Sequence, residues 1–434
     1  MDQMDIIIED TLPPESIAMV AALYSRDPKS VREHLKKVAE VGPENFMASY
    51  YVGYGHASIG DCGSTSVFIE QISMLAAKAV QDWRLYSGQE ASTRYIDFST
   101  QTILNPLGTA DAQAVQDAWR AFYMAYLPRI QEHVAASNPR RDGQEEKAYA
   151  KAVKARAFDI MRGFLPAGAA TLVAWHTNLR QAADKLAILR HHPLPEIRQI
   201  GERVLAALQT KYPSSFSHKR YDETESYAED WCARYTYFHP DEHPLHPVLR
   251  TTIDAHELSA YDDILRSRPV KTNLPAFLDE LGTCQFDFQL DFGSFRDLQR
   301  HRNGVCRMPL LSTRFGFHPW YLSQLPEDVL VAAKRLLEEQ EAAVSALDAT
   351  PELRQYYIAM GYRVPCRITM GLMPTVYTID LRAEKTVHPT LRQIVHGMVR
   401  EMQRELPSVT LHANMDPDDW DIRRGTHDIV KKET

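Results

Sequence analysis

Residues Gln81 to Tyr95 read QDWRLYSGQEASTRY, and residues Gln299 to Phe315 read QRHRNGVCRMPLLSTRF. Each stretch sets arginines beside hydroxyl side chains and closes on Ser-x-Arg followed by an aromatic residue. A guanidinium stays charged and offers a planar fork of donors that bonds two oxygens at once, so such clusters suit a phosphate-bearing ligand. Ser92 and Ser312 add hydroxyl donors for the same oxyanion. Either stretch alone also fits a solvated, charged surface. Side by side they do not, because the parts missing from one are present in the other.

The rest of the chain bounds what this pair can belong to. At 434 residues it exceeds what one hydrophobic core serves and predicts two or three domains. With 44% hydrophobic and 24% charged residues it has the composition of a globular, water-soluble protein. A formal charge of -8 argues against coating nucleic acid through bulk charge, while leaving room for a local basic pocket. Met1 to Asp5 is acidic, so no secretory leader is expected there. No uncharged apolar run approaches the roughly 18 residues that span a bilayer, so no membrane partner is expected. Cys62, Cys232, Cys284, Cys306 and Cys366 are scattered and form no C-x-x-C pair, which argues against a disulfide framework or zinc ribbon and for a cytoplasmic location.

In order, Ile6 to Ile8 predicts a short strand, Pro13 to Tyr24 a helix, and Ser30 to Val41 a second helix capped by Ser30. Tyr54 to Asp61 reads as a polar, glycine-containing loop. Ser66 to Ile72 has strand character and Ser73 to Trp83 helical character. Residues 111–135 and 145–163 predict long helices, and Thr171 to Leu189 a further one carrying His176, Asn178 and Arg180. Ile197 to Leu208 gives one more amphipathic helix. Residues 237–249 hold three closely spaced prolines and mark a linker between residues 1–236 and 250–434; the histidines among them are better read as solvated than as metal ligands. Beyond it the order repeats in shortened form. Phe286 to Leu290 alternates like a strand, Asp291 to Arg302 leads into the arginines, and Glu327 to Leu347 is helical. Tyr362 to Pro365 echoes Phe164-Leu165-Pro166, Leu381-Arg382 echoes Leu189-Arg190, and His388-Pro389 echoes His192-Pro193. The class is α+β, and a tandem duplication of one α/β unit accounts for the order.

The run Gly55-His56-Ala57-Ser58, a strand and a helix, then Arg84, Ser87, Gln89, Glu90, Ser92, Arg94 and Tyr95 resembles the flavin-dependent thymidylate synthases. The resemblance covers most of residues 1–210. It implies two tandem, diverged copies of that family's α/β unit, with FAD as cofactor, dUMP as substrate, methylenetetrahydrofolate as carbon donor and NADPH as reductant. It also implies a homotetramer, with sites assembled across subunits. By the same resemblance Arg162 before Leu165-Pro166 is a phosphate-pocket arginine, and Asn178 and Arg180 contact the flavin with His56 and Ser58. The family's Arg-His-Arg triplet is broken in the first half, where Asp82 and Trp83 precede Arg84. It is intact in the second half as Arg300-His301-Arg302, followed by Asn303, whereas that half lacks the glutamate and the Gly-His loop.

Composite sites reconcile the two halves. The second half lends Arg300, His301, Arg302 and Arg382, and the first lends Ser87, Gln89, Glu90, Ser92, Thr93, Arg94, Tyr95 and Arg162. A homodimer acting as a pseudo-tetramer follows. In this reading Arg94, Arg162 and Arg382 hold the phosphate and uracil edge, while the triplet lies along flavin and folate, its positive charge favouring reduced flavin; Ser92, Arg300, His301 and Arg302 are the catalytic candidates. Pro365-Cys366 is the dipeptide of a different thymidylate synthase. Without that enzyme's surroundings, Cys366 is expected to be buried and structural, like Cys62, Cys284 and Cys306. Two other readings share the fold: an enzyme for another pyrimidine nucleotide, and a nucleotide-binding relic without flavin.

Overall fold

The computed structural model describes residues 11–94 and 96–420. The expected strand at Ile6 to Ile8 and the site residue Tyr95 lie outside them. The chain packs as two units. One comprises residues 11–70, Leu85–Glu90 and Leu172–Thr236; the other comprises Gln71–Arg84, Ala91–Thr171 and residues 237–420. Residues 1–236 therefore contribute to both units, and 237 opens the last segment of the second.

In the first unit, helices Pro14–Tyr24 and Val31–Val41 close a small core of Met19, Val20 and Val38. Ser30 caps the second helix by accepting from the Arg32 N–H. The expected loop at Tyr54 to Asp61 is partly helical, since Ala57–Asp61 forms a short helix after a π-helical turn, Met47–Gly53. The largest departure from the sequence reading is Thr171 to Leu189. Its first part is a strand, Ala170–Asn178, central in a sheet ordered Ser64–Ser73, Ala170–Asn178, Ser87–Glu90. Ser87 pairs with His176 and Glu90 with Val173, antiparallel. The helix begins only at Leu179, where the Asn178 side chain accepts from the Gln181 N–H and caps it. Helical propensity yields here to ladder pairing.

In the second unit a four-stranded sheet runs Val248–Thr251, Thr283–Asp291, Arg363–Gly371, Gly304–Cys306. Long helices Ala110–Ser137, Glu146–Met161 and Glu327–Ala346 match their expected positions. The Trp119 indole donates to the Tyr357 carbonyl in the core at 2.9 Å, satisfying the polar edge of a fully buried ring.

One order of elements occurs twice: strand, short helix, short strand, a helical stretch (two long helices in the first run, one long helix between two short ones in the second), a 3-10 turn, strand, helix, helix. The backbone bonds recur with it. Met74 N–H donates to Ala169 O, and Phe292 N–H to Tyr362 O. Leu104 N–H donates to Gly168 O, and His318 N–H to Gly361 O. Segments 163–168 and 356–361 also bond each other reciprocally. Ala167 N–H reaches Ile358 O and Met360 N–H reaches Leu165 O; outside these, Gly168 N–H reaches Tyr356 O and Gly361 N–H reaches Gly163 O, all at 2.8–3.1 Å. This pairing corrects one register read from sequence. Leu165-Pro166 corresponds to Ile358-Ala359, not to Val364-Pro365, because the 3-10 turns Arg162–Phe164 and Gln355–Tyr357 fix the alignment.

The close approach leaves no room for side chains. A Cβ at Gly168 would lie 2.6 Å from Tyr356 O and 3.0 Å from Leu104 O, both backbone atoms. Gly168→Ala is expected to cost about 1–3 kcal/mol through forced backbone displacement. A denaturant midpoint unchanged from the parent would contradict this reading of the crossing.

Candidate functional site

The second unit gathers residues from both arginine stretches. Arg94 follows the Ser92–Thr93 turn, in which the Ser92 hydroxyl accepts from the Arg94 N–H. Its guanidinium grips Asp159 with Nε and Nη2, at 2.6 and 3.1 Å, and its Nη2 also donates to Thr386 O at 3.0 Å. One turn after Asp159, the C-cap of helix Glu146–Met161 is Arg162, whose positive charge suits the negative end of the helix. Arg162 is 1% exposed; it donates to Ser294 Oγ at 2.6 Å and pairs with Asp297 at 3.5 Å. Ser294 is held in turn by His388 and Thr390.

Asp297 is the focus of the cluster. Burial alone would raise its carboxyl, but the guanidiniums of Arg162, Arg300, Arg94 and Arg382 outweigh burial and hold it well below the usual carboxylate range. Arg300 lies at 3.8 Å from it and is 40% exposed. Arg382, the last residue of helix Leu372–Arg382, donates through Nη2 to the Asp297 carbonyl and through Nε to His301 Nε2 at 2.7 Å. Two arginines and a loop from the first half thus meet the triplet and Arg382 of the second half around one carboxylate.

His301 departs from its expected role as part of a positively charged triplet. Its Nε2 accepts from Arg382, so its Nδ1 carries the proton and donates to Thr378 Oγ1 at 3.0 Å. The Thr378 hydroxyl hydrogen is free for Met370 Sδ, consistent with that tautomer. Burial, then Arg382 and Arg302, push the imidazole down to about 3. The ring is therefore a neutral holder for Arg382, and the positive charge belongs to the arginines. His388, wholly buried, is likewise held well below the usual histidine range by burial and by Arg162. Groups whose folded values lie below the unfolded one of about 6.5 take up protons on unfolding, so their contribution is complete above that pH and is lost as pH falls toward 3. Unfolding midpoints are expected to drop steadily below about pH 6.5, less steeply in His301→Gln. A flat profile would refute the assignment.

Arg84 and Asn303 are exposed. The broken triplet, Asp82-Trp83-Arg84, and His301 and Arg302 of the intact one share the wall of a small cavity of about 150 Å³.

The remaining expected residues lie in the first unit. Ser87, Gln89 and Glu90 are on the edge strand Ser87–Glu90, and His56 and Ser58 are exposed at the short helix Ala57–Asp61. Arg180 pairs with Asp61 through both carboxylate oxygens at 2.8 Å. Beside it opens a cavity of about 470 Å³, lined among others by Gly55, Tyr51, Arg180, Arg190, His218 and Lys219. Arg190 is fixed by Glu225 through two bonds of 2.9 and 3.0 Å. Sequence reading missed this basic wall, and it missed Asp159 and Asp297. Asp297 three residues before Arg300 was a visible helical i,i+3 signal; Asp159 was not, since its partner is 65 residues away.

Among the cysteines, Cys366 is buried and its thiol is pushed well up by burial, as a structural residue requires. Cys62 is exposed, contrary to expectation, because it ends a surface helical turn, with its thiol bonded to Ser58 O. No cluster able to hold a metal ion occurs among the described residues, and no helix there is long and apolar enough to cross a membrane.

Comparison with known proteins places the chain. It is 25% identical to a UPF0159 protein of Chlamydia muridarum (strain MoPn / Nigg), over 80% of this chain and 76% of that one. It is 26% identical to a UPF0159 protein of Chlamydia pneumoniae, over 88% of this chain and 82% of the other. A UPF0159 protein of Thermoplasma acidophilum is 24% identical, with 89% and 92% covered. The match that carries a biochemical description is a family model: residues 7–214 match that of the thymidylate synthase complementing proteins.

Proposed function

We propose that this chain is a flavin-dependent thymidylate synthase that reductively methylates dUMP to dTMP, with methylenetetrahydrofolate as carbon donor and NADPH as reductant. The observation that carries the reading is the meeting of Arg94 with Arg300 and Arg382 around Asp297, which joins the two sequence stretches at one anion-binding point. Arg94, Arg300 and Arg382 take the nucleotide phosphate and uracil edge. Arg162, enclosed beneath them, positions Asp297 and contacts the ligand only indirectly, a change from its expected role. Fixed cations near the ring stabilise charge as uracil C5 becomes nucleophilic. His301 keeps Arg382 aimed. Ser92 shapes the turn that presents Thr93 and Arg94.

The donor set beside Arg180 fits a dinucleotide. Lys219 suits its pyrophosphate, Arg190 is held beside it by Glu225, and Tyr51 and Tyr221 border the same cavity. Bound FAD would supply hydride and one-carbon transfer; His56, Ser58, Asn178 and Arg180 are proposed to orient it, and Arg84, Arg302 and Asn303 are proposed as further cofactor contacts. Residues 1–236 and 250–434 are read as diverged copies of one unit, supported by the repeated backbone bonds. The working form is a cytoplasmic homodimer acting as a pseudo-tetramer.

The test is a visible spectrum of the purified protein, followed by bleaching with NADPH with and without dUMP. Faster bleaching with dUMP supports the synthase. A protein that takes up no FAD refutes it and leaves a nucleotide-binding protein. Conversion of dCMP in place of dUMP redirects the reading to another pyrimidine nucleotide.

A further inference from the structure

A second basic cavity, of about 390 Å³, lies in the second unit, and none of Arg94, Arg300 or Arg382 lines it. Its polar wall includes His246, Gln289, His318, Arg363, His396 and Arg400, and no aspartate or glutamate faces it. That is unusual in a chain with 57 acidic and 49 basic residues.

Arg363 makes the contrast concrete. The buried or half-buried arginines Arg94, Arg156, Arg162, Arg190 and Arg268 each have a carboxylate within ion-pair distance, and the buried Arg392 donates instead to the carbonyls of Ala383, Asn414 and Asp416. Arg363 and Arg400 form no ion pair among the described residues; the Arg363 Nε is buried without a hydrogen-bond partner, as are those of Arg156, Arg162, Arg190 and Arg268, but Arg363 alone of these lacks a carboxylate. Burial of a guanidinium without a counter-ion is unfavourable, and an anionic ligand removes the penalty. Beside Arg363, the His318 Nδ1 accepts from the Trp320 N–H, so in the neutral ring Nε2 bears the proton and is a donor. Gln289 is fixed by donating to His243 O, which leaves its Oε1 as the acceptor. Leu245, Pro319 and Ile394 complete the lining with apolar surface.

We propose that this cavity binds a phosphate group, with Arg363 and Arg400 as its two guanidinium ligands and His318 as a neutral donor. Its volume falls in the range of small-molecule sites, so a phosphate ester fits with its organic body against the apolar side. The inference does not rest on the synthase reading and uses none of its residues.

The test is calorimetric titration of the full-length protein at low ionic strength with inorganic phosphate, ribose 5-phosphate and, as control, ribose. One equivalent of ribose 5-phosphate or phosphate is expected to bind, and ribose none. Arg363→Gln and Arg400→Gln should each weaken binding at least tenfold, whereas Arg300→Ala should leave it unchanged. Arg400 is exposed, so its variant carries the test even if Arg363→Gln folds poorly. Tighter binding of ribose 5-phosphate identifies an ester as the ligand, and equal binding identifies the free ion; both support the site. No binding by the parent, or binding indifferent to both substitutions, or binding lost in Arg300→Ala, overturns it.

Discussion

Asp297→Ala is expected to destabilise the protein by about 3–5 kcal/mol, the usual consequence of removing one member of a buried charge cluster. The carboxylate stands among Arg162, Arg300, Arg94 and Arg382. Without it Asp159 still faces Arg94 and Asp291 still faces Arg162, but Arg300 and Arg382 lose their nearest carboxylate and the repulsion among the four rises. The variant should therefore respond to anions. Sulfate or phosphate should recover much of the lost stability by taking the empty place, and chloride should recover little. Denaturant midpoints measured with each salt check this. A loss below about 1 kcal/mol, the level of a surface pair, would mean the cluster is more solvated than its geometry implies.

On the proposed synthase reading, Arg300→Ala is expected to reduce dUMP turnover about 10²–10³-fold, the size seen when one preorganised donor is removed from a charge-stabilising site. Its side chain is 40% exposed and its contact to Asp297 is long at 3.8 Å, so the thermal midpoint should hardly move. That separation matters because the other arginines of the cluster are tied into the fold. Turnover of Arg300→Ala near the parent's would remove the intact triplet from the chemistry. A large loss of stability instead would assign Arg300 a structural role.

Much of this arrangement was legible in residue order. Ser30 as a cap and the long helices followed from local patterns, and those patterns survive folding. The strand Ala170–Asn178 did not, because its residues suit a helix and only its pairing with Ser87–Glu90 decides otherwise. Its burial alternates along much of its length, a signal that the neighbouring helical run concealed. The candidate site was legible as arginines and illegible as ion pairs. Arg94 and Arg162 were visible in sequence, but Asp159 becomes their companion only when a helix brings residues 65 apart into contact. The neutrality of His301 was equally hidden, since it depends on Arg382, 81 residues away.

The reciprocal bonds between segments 163–168 and 356–361 have a genetic consequence. In an assembly of identical chains, a codon change alters both sides of a symmetric contact together, so a substitution tolerated on one side only is lost. Here Gly168 and Gly361 face each other's segments, as do Pro166 and Ala359, yet each is encoded separately. Selection can then hold one partner fixed while the other changes, so substitution rates on the two sides of this crossing are free to differ.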